Sequence, residues 1–580
     1  MSHLPARLLA GLRLRLAVLG AVALLLTGTS GLYAASPPTS SPSFEGTALG
    51  SHVIATHPDF LNSTPSASAG PSAGDVRNIP DHSPSTASTA TPSRLGPNAA
   101  SRSVGTPLTS ASTLSATGKL AANFDGLSDT QNKAIAGFHD TPPDQGLCVG
   151  FLGSTKVVIE VVNSIFGIYT TDGKLMNAFP VSSGFGDPNA FSDPRCFYDA
   201  STSSFYMTVI SCASCTTDTF DDVLVVNRNG FATTYQFDTT VGGTCFGDQP
   251  HTGFDSHALY ITTDQFCGPG QNTFSGTLLI AISKSQLAAQ GAPPNAVSFP
   301  LLSLGGVPIL TLEPAFGNAS GTEYLLNSFP YDQFGNNNSI ASTLGFWSVK
   351  GDENITTGSG TVTLTGRIIN SETYAFPMPA ASTGDGSTPA GSPSFVISEP
   401  FLDAGDSRML QVQLVNDQEQ GLQLYASLGS AVTMSGDPSA RDGAAWFVLD
   451  PKRARVTNQG YLGVAGAYLL YPSILHTDDG LTAMAFSITS PSMNPSAAYV
   501  VGKSHHGFGP VQITGLGSGP HVSFADVLFG RGRWGDYSAL ELDPNHADIW
   551  SGTEYIGPLP GGGDLVDNWG TRIWELRGDH

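Results

Sequence analysis

The sequence predicts an all-β protein made of small repeated sheets around an axis, and three observations carry that prediction. Short runs rich in Val, Ile, Phe, Tyr and Thr, such as 157–162 with 166–169 and 222–226 with 232–237, alternate with Gly, Asn, Asp and Pro turns. Helical periodicity is confined to one short candidate at 283–290. A phrase also recurs: a carboxylate or its stand-in, a few β-type residues, an aspartate six or seven positions on, a turn, then an aromatic-rich strand. Its copies begin at 144, 193, 248, 313, 406, 471 and 536, at intervals of 49, 55, 65, 93, 65 and 65 residues. A four-stranded propeller blade takes about 40–50 residues plus loops. Seven copies therefore predict a seven-bladed β-propeller. Six blades are the alternative, if the first copy belongs to a blade completed by the other end of the chain.

Residues 1–35 read as an export signal, because Arg7, Arg13 and Arg15 precede the apolar run 16–26, which small residues follow. That run is too short to span a bilayer, which takes about 20 apolar residues. Residues 36–118 are dominated by Ser, Thr, Pro, Ala and Gly, and such a stretch buries too little apolar surface to offset its chain entropy. It reads as a disordered spacer. The propeller follows at 119–580, with no further apolar run long enough to span a membrane. The long interval contains a Gly/Ser/Pro-rich stretch, 377–393, that reads as an inserted loop. The segment 570–576 reads as a closing strand, pairing with β structure near 119–138 so that the ring has no free ends.

All six cysteines lie between Cys148 and Cys267. An even count in an exported chain reads as disulfides. Position within the repeats suggests Cys148 with Cys196, Cys245 with Cys267, and Cys212 with Cys215.

The net charge of −22, with only 12% charged residues, excludes nucleic acid as a partner, because phosphates demand a basic face. It suits an extracytoplasmic protein, secreted or at the cell surface, including one working at low pH. No Gly-x-Ser-x-Gly stands in a strand-turn-helix setting, and 515–519 is a glycine turn, against a serine hydrolase. His251, His476 and His521 lack the helical spacing of zinc proteases and read as turn or surface residues. Trp534, Trp550, Trp569 and Trp574 read as core.

Equivalent positions in successive blades sit at equal height around the axis. Asp144, Asp193, Asp248, Glu313, Asp406 and Asp536 are thus placed as a ring of acids at one channel mouth. Asp144, Glu313 and Asp406 are candidate oxygen ligands for Ca²⁺. Asp193, Asp248 and Asp536 are candidate catalytic acids, since glycoside hydrolysis needs paired carboxyls. The ordinary role of such aspartates is to accept backbone N–H groups in turns.

The segments 142–146 with Val162-Asn163, 192–195, 247–250, 471–473 and 533–538 resemble those of exported bacterial β-propellers of the sialidase-like (Asp-box repeat) type, over about 125–575. The resemblance implies three arginines, here Arg195, Arg408 and Arg533, binding a sugar carboxylate bidentately. It further implies a tyrosine nucleophile, Tyr471 or Tyr537, with Glu541 as its partner. The chain departs from that pattern: it has no Arg-Ile-Pro motif and no intact Asp box, and Arg533 is out of register with the other two. The expected function is a propeller binding an extracellular polysaccharide or protein. The alternatives are a sialidase-like glycoside hydrolase or lyase, and an adhesion or scaffold module held at a distance by the spacer.

Overall fold

The computed structural model describes residues 41–62 and 118–578, apart from 216–217, 272, 318–320, 332–339, 391, 504–506, 527–529 and 559–565. The expected signal and most of the spacer lie outside these residues. The chain is a β-propeller of seven blades. Blade 1 is a meander of Gly146–Leu152, Thr155–Val161, Ile165–Thr170 and Leu175–Pro180. The innermost strands of blades 2 to 7 are Ala190–Asp199, Phe246–Phe254, Glu313–Phe316, Met409–Asp417, Tyr468–His476 and Ala539–Leu542. All seven copies of the recurring phrase therefore begin at or near the start of an innermost strand. Blade 7 closes the ring, because its third strand Gly570–Arg577 pairs with Lys119–Ser128, from the start of the propeller region.

Inner strands are covered on both faces by neighbouring blades, so they read as continuous burial rather than alternation. Every residue of Tyr468–His476 and Leu481–Ser490 is buried. The outermost strand of blade 5, Arg455–Leu462, alternates instead. Packing between blades is aromatic in places: Phe197 of blade 2 stacks on Phe254 of blade 3 at 4.4 Å between centroids. All four tryptophans named above are buried. The short helical candidate forms as Lys284–Ala289.

Residues 41–62 depart from the expected spacer. Ser43–Glu45, Thr47–Leu49 and Ser51–His57 add an outer strand to blades 4, 3 and 2 in turn, and Phe60 inserts among Phe166 and Phe179 of blade 1. A Ser/Thr-rich segment can do this because strand addition is a backbone transaction: exposed edges offer N–H and C=O groups whatever the incoming side chains are.

Three disulfides form in the expected pairs. Cys148–Cys196 joins the innermost strands of blades 1 and 2.

The expected insertion lies between blades 4 and 5, and a second irregular segment separates blades 6 and 7. The two pair with each other through Ile397–Ser398 with Val522–Ser523 and a Leu402–Gly532 bridge. Both lead directly into innermost strands, so together they cover part of the channel mouth.

Candidate functional site

Just ahead of or within five of the seven innermost strands, the backbone takes a conformation that side chains rarely accept. Asp144, Asp193, Gln249, Thr311 and Tyr471 have φ of 45–52°, and Gly405 holds the matching place ahead of blade 5 at 65°. Each non-glycine residue there costs about 1–3 kcal/mol, and such outliers cluster at ligand sites. Register slips follow between Asp248 and His251, Met409 and Gln411, and Leu470 and Ser473. Bulges of this kind re-aim side chains.

The side chains form a connected polar network. Asp144 accepts the Asp536 amide (2.7 Å) through Oδ1 and Asn163 Nδ2 (2.9 Å) through Oδ2, while Asn163 Oδ1 accepts the Asp193 amide (2.7 Å). Arg533 grips Asp536 bidentately at 2.9 Å and 2.9 Å, and Gln249 Nε2 donates to the same carboxylate at 3.1 Å. Arg408 grips Asp406 in the same manner, also at 2.9 Å and 2.9 Å. Arg195 lies 3.4 Å over the Tyr537 ring, and its Nε donates to the Pro250 carbonyl. His251 Nδ1 lies against both a guanidinium nitrogen of Arg195, at 3.1 Å, and the carboxyl of Glu313.

Burial and charge push these groups apart in acidity. Burial, and then repulsion from Asp536, pushes Asp144 up to about 7. Burial and the neighbouring Asp144, Asp248 and Asp536 hold Asp193 well above the usual carboxylate range. Burial alone would raise Asp536 too, but Arg533 and Arg408 outweigh it and keep this carboxylate below its ordinary value. Burial, then the charges of Arg195 and Arg408, keeps His251 neutral. Burial raises the Tyr471 and Tyr537 phenols well above 10, with Asp403 and Asp193 respectively adding to it.

The residues singled out from sequence are thus distributed as follows. Asp144, Asp193, Asp536, Arg195, Arg408, Arg533, Tyr471 and Tyr537 belong to one network at one end of the channel. Asp248 lies beside it, half-buried, with Oδ1 accepting the Gln249 amide. Asp144, Glu313 and Asp406 do not gather into one ligand set. Each is engaged separately, and the groups able to hold an ion among the described residues lie elsewhere. Glu541 lies further along the blade 7 strand, its acid pushed up by burial.

His251 and His521 are buried, at 1% and 0% exposure, and not the surface residues their scatter suggested. Burial would lower His521, but Asp526, Asp567 and Glu554 outweigh it and push it up to about 9. Reasoning from the repeat also missed Asp403, which pairs with Arg531, and Asp526, which accepts the Arg533 amide. Both belong to the interblade segments, which carry no copy of the phrase.

No family model and no curated protein matches the chain. Among solved structures, it is similar to the α-L-arabinofuranosidase Arb93A from Fusarium graminearum with an iminosugar inhibitor, at 9% identity, covering 79% of this chain and 98% of that one, TM-score 0.31. It is similar to the GH43_1 enzyme from Xanthomonas citri complexed with xylotriose, at 12% identity, covering 57% and 86%, TM-score 0.25. It is also similar to cobalt-substituted Synechocystis ACO, at 10% identity, covering 63% and 71%, TM-score 0.33. At such identities and scores these likenesses carry no argument about activity.

Proposed function

We propose that the channel mouth is a glycosidic-bond site for a neutral extracellular glycan, with Asp144 as the proton donor and Asp536 as the ionised carboxylate. The observation that carries this reading is the opposed tuning of the two acids within one network: one is protonated up to about 7, the other held ionised by two arginines. Carboxyls pushed apart in this way take the acid and base roles of glycoside hydrolysis. Asp193, whose acid is pushed up by burial and the neighbouring carboxylates, is the second candidate donor.

A neutral substrate is favoured over sialic acid for a specific reason. Arg408 and Arg533 are each already bidentate to an internal carboxylate, so a sugar carboxylate would have to displace Asp406 or Asp536. The raised phenols of Tyr471 and Tyr537 likewise argue against a tyrosine nucleophile. The three disulfides suit a secreted or surface location, and no helix among the described residues is long and apolar enough to cross a membrane.

Release of reducing ends from a panel of neutral oligosaccharides tests the reading. Hydrolysis is expected to fall as pH rises through about 7, where Asp144 loses its proton. D144N is expected to cost about 10²–10⁴-fold in rate, the usual worth of a general acid, and its melting temperature is measured alongside because its amide NH2 must face the Asn163 or Asp536 N–H. If no glycan is cleaved but a glycan array lights up equally for wild type and D144N, the site is a binding platform. If no glycan binds either, the partner is a protein.

A further inference from the structure

Asp248 stands near the start of the innermost strand of blade 3 at the mouth, and Asp255 follows that strand's end, about 23 Å away at 3.3 Å per residue. On this opposite face, the first turn of blade 3 and the segment after the third strand of blade 4 bring Asp255, His257 and Asp352 together. Their ligand-capable atoms all lie within 4.8 Å of one another. We propose that these three side chains form a binding site for a divalent first-row transition ion, Zn²⁺ or Mn²⁺, that clamps blade 3 to blade 4.

Three observations point to a cation. Asp255 and Asp352 are both fully buried with their carboxyls against one another, and neither Asp255 Oδ2 nor Asp352 Oδ1 completes a hydrogen bond of good geometry, although the Tyr260 hydroxyl lies beside Asp352. The other oxygen of Asp255 accepts the His257 and Ala258 amides at 2.8 Å and 2.9 Å, which fixes the carboxyl plane. The second observation is charge. Among the described residues, Asp199, Asp255, Glu323 and Asp352 crowd one region around the buried ammonium of Lys284, whose Nζ lies 3.2 Å from Asp199 and donates to the Asp255 carbonyl. Burying several carboxylates against one cation is costly unless protons or further positive charge neutralise them. Third, His257 Nδ1 lies 3.0 Å from Asp352 Oδ2 while its ring is 38% exposed, so an ion can enter from solvent on the imidazole side.

The donor set selects the ion. One imidazole with two carboxylates suits zinc or manganese, whereas Ca²⁺ and Mg²⁺ prefer oxygen throughout. Three protein ligands, with water completing the shell, are enough for zinc. Because the ligands come from two blades, a bound ion resists their separation. The site is remote from the channel mouth and does not depend on the glycan reading.

The test uses the untagged full chain, stripped with EDTA and titrated with Zn²⁺, Mn²⁺ and Ca²⁺ by calorimetry, with elemental analysis for stoichiometry. One equivalent of Zn²⁺ or Mn²⁺ is expected to bind and to raise the melting temperature with ion concentration. H257A, at a half-exposed position, should weaken binding by more than about 100-fold, the upper end of what losing an outer partner costs. D548N, in the separate Asp543, Asp548 and Glu575 group, should leave it unchanged. Absence of stoichiometric binding, or binding that survives H257A, overturns the proposal. So does D352N stabilising the chain with no response to metal, because Asp255 and Asp352 then share a proton instead.

Discussion

At the scale of single residues, the channel mouth is a set of buried charges that neutralise one another. Arg408 is the clearest case, since its guanidinium grips Asp406 and also acts on Asp264 and Asp536. Removing one member of a buried pair strands the other. Arg408→Met is therefore expected to cost about 3–5 kcal/mol, read as a lowered denaturant midpoint. Adding Asp406→Asn should restore part of that loss, and a double variant no more stable than the single one would show that the pair is not the cause. The members of this network that the sequence revealed are those in the recurring phrase, where a turn, a bulge and a strand start sit together in the chain. Asp403, His521 and Asp526 were not legible, because long-range pairings such as Ser398 with Val522 bring them to the mouth, and no local pattern encodes such a pairing.

At the scale of elements, the blades were legible and the strap formed by 43–57 was not. A blade strand announces itself through apolar and β-branched residues, since both of its faces are covered. The strap has little such signal: Val53 is among its exposed side chains, and it is held by ladders such as Thr233 to Thr56 and Val297 to Ala48. Composition measures what side chains can bury, and is blind to a segment stabilised mainly through its backbone. Phe60 is the exception, wholly buried between blade 1 aromatics at 5.7 Å and 5.4 Å. Phe60→Ala should cost about 3–5 kcal/mol. A chain beginning at residue 63 should melt lower and aggregate sooner than one beginning at residue 41, because the edges of blades 2, 3 and 4 are then bare. Equal melting temperatures and light scattering for the two would show that the strap contributes nothing.

At the scale of the whole molecule, the many buried acids set an unusual pH response. Burial pushes Asp140 up to about 6 and Asp144, Glu160 and Glu399 up to about 7. Unfolded, each would titrate near 4. Between those values the folded chain binds protons that the unfolded chain has lost, so the stability these groups contribute is complete below about 4 and is lost as pH rises through 6–7. Asp417, Asp450 and Asp536 shift the other way, so their contribution fades only in stronger acid. The melting temperature is expected to be higher at pH 5 than at pH 8. The reverse order, measured by calorimetry in matched salt, would contradict this account. Ring closure has a further consequence, for the order of events in time. The closing strand Lys119–Ser128 and the strap before it are synthesised ahead of blades 1 to 6, yet the closing strand's partner Gly570–Arg577 comes after all of them. Until that partner arrives, blade 7 cannot form, whereas the strap's partners in blades 2, 3 and 4 all lie before residue 376. Pairings this distant along the chain slow folding. Until Gly570–Arg577 pairs with Lys119–Ser128, the seven blades are an unclosed arc.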